Sequence, residues 1–353
     1  MKYTGKMEIG GGGIGRTAYH QVKPLLELGV LEEIWSPSIK NLPTSMWNKV
    51  PEITDKGYEV SDIHFDGYVS LNMEPTDMIH SWVSHCLFTF QNNKDAIKIV
   101  NLYSAHPVVQ ARYLKDEPVN TAHPVLIKKM QKELEMADHI VIPSEFIYNS
   151  LKEFDLEEKA KIIPFGVNNE IFTPRTEDRE DDKFRVIFVG TNWARKGLIY
   201  LLAAWDKLNL GDKGELIVAG VNPHVQKFLE LEGKDNIKFG WIPDLTKAYQ
   251  QSDIFVLPAV EDGCPLATYE AMACGLPVII SSNTGTYQHV MHGENGFIVP
   301  PRDGQAIYDL LLQFVKNREH LEYMGNKARA SVENWTWERH ENEYKKWIEQ
   351  LCN

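Results

Sequence analysis

The chain has little cysteine, no long apolar run and no surplus of positive charge, and each shortage removes a class of protein. Its 353 residues include four cysteines, Cys86, Cys264, Cys274 and Cys352, with no C-x-x-C pair among them. Without framework spacing or a secretory leader, they are expected to be reduced thiols of a cytoplasmic protein. No apolar run approaches the ~18 residues needed to span a bilayer, so membrane contact is peripheral at most. Lysine and arginine number 37 against 49 acidic residues, a formal net charge of −12. Divided after Glu170, the halves hold 17 basic against 23 acidic residues and 20 against 26, so each is −6. Neither half is a basic domain of the kind that meets nucleic acid or anionic lipid, although an acidic total leaves room for a local basic groove. The 12 histidines show no metal-ligand spacing, and no D-x-D carboxylate pair lies in a suitable loop. No metal site is therefore expected. Internal repeats and low-complexity tracts are missing too.

What is present is an ordinary soluble composition, 43% apolar and 24% charged. The length exceeds what one core usually organises, so two domains are expected. Short apolar runs alternate with longer amphipathic ones, the pattern of βα units around parallel sheets. Strands are expected at Met78–Trp82, Ala96–Tyr103, His139–Pro143 and Lys161–Phe165 in the first half. In the second half they are expected at Phe184–Val189, Glu215–Ala219, Asn236–Phe239, Asp253–Leu257, Pro277–Ile280 and Gly296–Val299. Thr173–Lys183, TPRTEDREDDK, offers almost nothing to a core and reads as a linker. The expected division is thus residues 1–172, a linker at 173–183, and a second domain at 184–336. A charged amphipathic helix from Trp337 rejoins the first domain.

Four places could carry chemistry. Gly10–Gly15, GGGGIG, fits G-x-G-x-x-G, and glycines before a helix let backbone N–H groups approach an anion. The preceding MKYTGKMEI is too polar and too broken by glycine to promise a central strand, which a dinucleotide fingerprint requires. Glu32 and Glu33 lie near the spacing of a ribose-binding acid, which keeps an NAD(P)-dependent oxidoreductase as the alternative. In the second half, DIFVLPA leads into EDGCPLATYEAMACGLPVIIS, which reads as strand, loop, helix and strand. Asp262 stands in that loop and Glu270 eight residues later, inside the helix. They could bind two sets of vicinal hydroxyls, or they could be a helix cap and a solvated acid. Arg195 and Lys196, in FVGTNWARKG, are paired cations at a strand-to-helix junction, suited to a diphosphate or merely solvated. His106, in NLYSAHPVV, follows a strand and stands at the carboxyl edge of the first sheet.

Together these stretches resemble the family-four group of retaining glycosyltransferases. IIPFGVNNEIFTP, FVGTNWARKGLIYLLAAW, DIFVLPAVEDGCPLATYEAMACGLPVIIS and NGFIVPPRD carry the resemblance, with HIVIPSEFI and YSAHPVVQARYL fitting less tightly. The resemblance implies an α/β protein of the GT-B class, two Rossmann-like domains whose parallel sheets face a central cleft. The donor would be a nucleotide-diphosphate sugar, the acceptor a hydroxyl on a glycan, a lipid-linked glycan or a small molecule, with no cofactor. Glu270 would bond the ribose, while Arg195, Lys196 and Thr191 would lie at the pyrophosphate. Backbone N–H groups of Gly263, Cys264, Pro265 and Leu266 (proline contributing only its place in the turn) would meet phosphate or sugar. His106 and Asp262 would approach the transferred sugar, and Ile242 the base. Gly12, Gly13 and Gly15 would close over the phosphates. Asp262 stands where the family usually has Glu, and Thr191 where it usually has Arg, which leaves a non-catalytic nucleotide-sugar-binding protein as a further alternative.

Overall fold

Two parallel sheets, one in each half of the chain, organise the computed structural model. It describes residues 1–4, 8–9, 12–36, 38–39, 62–118, 122–177, 179–222, 224–225, 229, 231 and 233–352. The chain separates into two compact units. Met1–Arg112, Thr121–Phe165 and Trp337–Asn353 form unit 1, and Tyr113–Asn120 with Gly166–Thr336 form unit 2.

The strands of unit 1 are β1 (Lys2–Thr4), β2 (Glu8–Ile9), β3 (Glu33–Trp35), β4 (Ser38–Ile39), β5 (Met78–Trp82), β6 (Ile97–Asn101), β7 (His139–Ile142) and β8 (Ala160–Ile162). Six of them make a parallel sheet in the order β3-β1-β5-β6-β7-β8, while β2 pairs only with β4. The helices are α1 (Gly12–Glu27), α2 (Asp62–Asn72), α3 (Leu87–Asn92), α4 (Pro107–Tyr113), α5 (Pro124–Met136) and α6 (Glu145–Leu151). β1 overturns the reading of the opening residues as too polar for a central strand. Lys2, Tyr3 and Thr4 are all buried, because each polar end finds a distant partner. The Lys2 ammonium donates to the carbonyl of Glu74 at 3.0 Å and pairs with Glu33 at 3.1 Å. The Tyr3 hydroxyl donates to Gln21 at 2.9 Å, and Thr4 donates to Ser81 at 2.6 Å. A satisfied polar group costs a strand little; an orphaned one would have excluded it.

Unit 2 contains β9 (Phe184–Val189), β10 (Gly214–Ala219), β11 (Ile237–Gly240), β12 (Ile254–Leu257), β13 (Val278–Ser281) and β14 (Gly296–Val299). They form a parallel sheet in the order β11-β10-β9-β12-β13-β14. Its helices are α7 (Leu198–Leu208), α8 (Leu245–Gln250), α9 (Leu266–Ala273), α10 (Gly304–Lys316) and α11 (Glu319–Val332). β10, β12 and β13 are buried along their whole length, the reason they read as continuous apolar runs rather than alternating ones.

The chain enters unit 2 at Gly166, ahead of the expected linker. Arg179 grips Asp253 at 2.9 Å, and Gln250 donates to the carbonyl of Thr173 at 2.9 Å, so Thr173–Lys183 is bound to unit 2 rather than a free tether. The last helix, α12 (Trp337–Cys352), belongs to unit 1. Glu341 takes Lys23 at 2.6 Å and His20 at 2.5 Å, both from α1, and Trp337 stacks on His20. Tyr344, Trp347 and Ile348 enter the same core as Tyr3, Val22 and Leu25.

Candidate functional site

Unit 2 has one topological switch point. From β9 the chain fills one side of the sheet with β10 and β11, and then the other with β12, β13 and β14. In open parallel sheets the crevice at such a point, at the carboxyl ends of the two central strands, is where ligands bind. Here those strands are β9 and β12, and the cation pair after one meets the acid pair after the other.

The turn after β9 is laced to the loop after β12. Asn192 accepts the Arg195 N–H on its side chain at 3.2 Å and the Lys196 N–H on its carbonyl at 2.9 Å. The carbonyl of Arg195 accepts from Val260 N–H at 2.9 Å. Gly197 has φ of 73°, and a Cβ there would collide with the carbonyl of Pro258. At Gly190 a Cβ would stand 3.1 Å from Cγ of Lys196. Glycine at both positions lets the cation-bearing turn close onto the strand ends.

Arg195 Nε donates to the Glu261 carboxylate at 2.8 Å and to its carbonyl at 3.0 Å. Its guanidinium lies 3.8 Å from Asp262, and the Lys196 ammonium is ion-paired with Asp262. Burial and the neighbouring Arg195 charge lower the Lys196 pKa from 10.5 to about 7. The Asp262 loop is itself pinned, its N–H donating to Asn283 O at 2.9 Å and its carbonyl accepting from Gly285 at 2.7 Å. Asp262 is therefore no helix cap. Pro265 occupies the N-cap of α9 and supplies no side-chain hydrogen bond. Gly263, Cys264 and Pro265 are buried and Leu266 half-buried, just ahead of the helix. The Cys264 thiol donates to the Tyr269 hydroxyl at 3.8 Å, which meets His289 at 3.0 Å.

Glu270 is not the solvated acid of the simpler reading. It is 6% exposed, and the Tyr249 hydroxyl stands 3.3 Å from its Oε2. Thr191 is exposed at the carboxyl end of β9, and half-buried Ile242 follows β11, two strands from β9. Gly190, Asn192, Gly197 and Tyr249 were missed in the sequence. The two glycines were visible in FVGTNWARKG, whereas nothing in the sequence joins Tyr249 to Glu270.

The other expected residues lie on unit 1. Gly12 begins α1, with Gly13 and Gly15 inside its first turns, while Gly10 and Gly11 lie outside the described residues. His106 is fully buried, its ring stacked on Phe154 with centroids 3.6 Å apart. Its N–H donates to Ser150 at 2.8 Å, and its Nε2 has no partner. Burial lowers its pKa to about 4, so the ring is neutral. Glu32 and Glu33 sit at the amino end of β3, held by the N-terminus and by Lys2. That is the edge away from any ligand crevice, and it removes the geometric basis of the dinucleotide alternative. Among the described residues, no cluster of three or more His, Cys, Asp or Glu is arranged to hold a metal ion, and no helix is long and apolar enough to cross a membrane.

A parallel sheet with paired cations, paired acids and a helix start at its switch point defines an α/β protein with a candidate ligand crevice there, and comparison with known proteins places it more closely. Over its whole length the chain matches sucrose-phosphate synthase from Thermosynechococcus elongatus, with a TM-score of 0.79, 19% identity and 99% of each chain covered. The fold is accordingly GT-B. Residues 170–331, most of unit 2, match the model of the family described as Glycosyl transferases group 1. In sequence the chain is 28% identical over 202 residues to an uncharacterized glycosyltransferase of Methanocaldococcus jannaschii, covering 52% of each. It is 27% identical over 214 residues to the UDP-Gal:alpha-D-GlcNAc-diphosphoundecaprenol alpha-1,3-galactosyltransferase of Escherichia coli, covering 53% of this chain and 54% of the relative. The chain spans about half the length of these curated relatives.

Proposed function

We propose that the protein is a glycosyltransferase that moves a sugar from a nucleotide-diphosphate donor to a hydroxyl acceptor, with retention of configuration and without a metal ion. The observation that carries this reading is the meeting of Arg195 and Lys196 with Glu261 and Asp262, in the loop that leads into α9, at the β9/β12 switch point. Two cations beside a helix start suit a diphosphate, whose charge grows as the glycosidic bond breaks. In the unliganded protein Glu261 and Asp262 hold the cations in place. The incoming diphosphate takes Lys196 from Asp262 and frees that carboxylate for a sugar hydroxyl. Glu270, buried and oriented by Tyr249, bonds the ribose, with the base at Ile242. Thr191 and the N–H groups of Gly263, Cys264 and Leu266 complete the phosphate contacts, and Gly12, Gly13 and Gly15 supply others from unit 1.

Retention follows from the family resemblance and fits the state of the acids. Glu261 is engaged by Arg195, and Asp262, once released, is assigned to a sugar hydroxyl rather than to the anomeric carbon. The leaving diphosphate then deprotonates the acceptor on the same face. By the family resemblance His106, a neutral imidazole whose buried Nε2 has no other partner, is assigned to the donor sugar. The acceptor is a glycan, a lipid-linked glycan or a small hydroxyl compound; the lipid-linked substrate in the name of the Escherichia coli relative supports that range. A melting-temperature screen across UDP, GDP and ADP sugars tests the reading. One base should stabilise the protein, and a flat response to all three sinks the proposal.

A further inference from the structure

Four histidines gather where α12 docks on unit 1, packed against its large aromatic side chains. On α1, His20 stacks on Trp337 with ring centroids 4.2 Å apart. On β5, the ring of His80 stacks on Tyr344, and its Nδ1 stands 2.5 Å from that hydroxyl. On β7, His139 meets Trp347 edge-on at 5.7 Å. The fourth, His340, belongs to α12 and lies between Trp337 and Tyr344.

His80 and His340 are fully buried, and neither has a place for a second proton. The Nδ1 of His340 stands 2.9 Å from the carbonyl of Pro164, so Nδ1 carries the hydrogen, and the bare Nε2 has no partner. The Nε2 of His80 has none either. An imidazolium at either position would bury a charge and leave an N–H without an acceptor. Burial accordingly lowers the pKa of His80 to about 3 and that of His340 to about 4, and it lowers that of His139 as well.

The other charges on this face hold the helix down. Glu341 takes His20 and Lys23, and Lys345 reaches Glu27 at 3.4 Å. Arg339 and Glu343 pair along α12 itself at 3.2 Å, and Asp138 lies beside His139. Burial raises the hydroxyls of Tyr3 and Tyr344, which stay neutral.

We propose that α12 is an acid-sensitive latch, released from unit 1 when His80 and His340 take up protons, while the strand pairing of both sheets survives. α12 takes part in no strand pairing, so its departure breaks no ladder bond. Once it is released, each histidine titrates near the ordinary 6.5; docked, each must stay neutral. Docking is thus fully present above about pH 6.5 and is lost as the pH falls toward about 4. A proton on His20, matched by Glu341, works the other way and takes back part of the effect. α1 loosens with the latch, because its Ala18, Val22 and Leu25 share a core with Tyr344 and Trp347.

Hydrogen exchange on the full chain at pH 8 and pH 5, corrected for intrinsic rates, tests this. At pH 5 each of the two histidines weakens docking by about thirtyfold. With His20 opposing, the opening equilibrium of α12 should still rise by at least about thirtyfold. Protection of β6, β12 and β13 should change by less than about threefold. His340→Asn keeps a donor for Pro164 and cannot be charged, and His80→Gln cannot be charged either. Each should cut the acid response of α12 by about tenfold or more. Equal protection of α12 at both pH values overturns the latch, and so does loss of the strands together with the helix. A folded variant that responds to acid as the wild type does overturns it too. The wild-type comparison decides the matter even if neither variant folds.

Discussion

The α-carbon of Gly197 lies so close to the carbonyl of Pro258 that any Cβ would collide with it, at a φ of 73° that already favours glycine. This contact seats the turn carrying Arg195 and Lys196 on the end of β12. Gly197→Ala should cost about 2 kcal/mol or more, from the left-handed penalty plus the clash. Because the turn must shift, nucleotide-diphosphate affinity should fall along with the melting temperature. Calorimetry on the folded variant checks the point; unchanged affinity would mean that the turn does not hold the diphosphate.

Lys196 supplies a proton signature. Its pKa in the free protein is lowered to about 7, and a bound diphosphate favours the charged form and raises it again. Above about pH 7, binding must therefore take up a proton, and affinity should fall by up to about tenfold per pH unit until the pKa of the complex is reached. Calorimetry at pH 8 in buffers of different ionisation enthalpy measures the uptake directly. Lys196→Met should abolish it. Equal heats in all buffers would contradict the placement of Lys196.

Much of unit 2 was legible because β10, β12 and β13 are buried on both faces and its turns use glycine and proline at the positions their backbone needs. FRVIFV and GFIV match β9 and β14 residue for residue. Unit 1 was harder for a physical reason. β1 is three residues of Lys-Tyr-Thr that become acceptable only once Glu74, Gln21 and Ser81 are in place. Likewise Asp66, Lys129 and Glu133 read as ordinary surface charges until the fold buries them together. Local pattern reports local burial; long-range satisfaction of polar groups leaves no periodic trace.

Chelation separates electrostatic stabilisation by side chains from stabilisation by a metal. If Arg195, Lys196 and the start of α9 carry the charge of the leaving diphosphate, EDTA should leave turnover nearly unchanged. Arg195→Ala should lower it by about a hundredfold or more, the range seen when a preorganised charge partner is removed. Loss of activity with EDTA and recovery with Mg²⁺ or Mn²⁺ would refute the metal-free mechanism.

Glu270 and His106 should separate donor binding from chemistry. If Glu270 bonds the ribose in ground state and transition state alike, Glu270→Ala should chiefly weaken nucleotide binding. A lost charged hydrogen bond is worth about 1.5–3 kcal/mol, or roughly ten- to a hundredfold in affinity. On the same reading His106 bonds only the sugar, which a free nucleotide diphosphate lacks. His106→Gln keeps much of the volume packed on Phe154, and should lower turnover while leaving nucleotide-diphosphate affinity untouched. With a pKa of about 4 the ring stays neutral through pH 5–9, so its loss should remove no limb of the pH–rate profile near 6.5. Calorimetry with the nucleotide diphosphate and single-turnover rates with the matched donor measure the two effects separately. If His106→Gln costs melting temperature but no turnover, the histidine is a packing residue and the sugar is held without it.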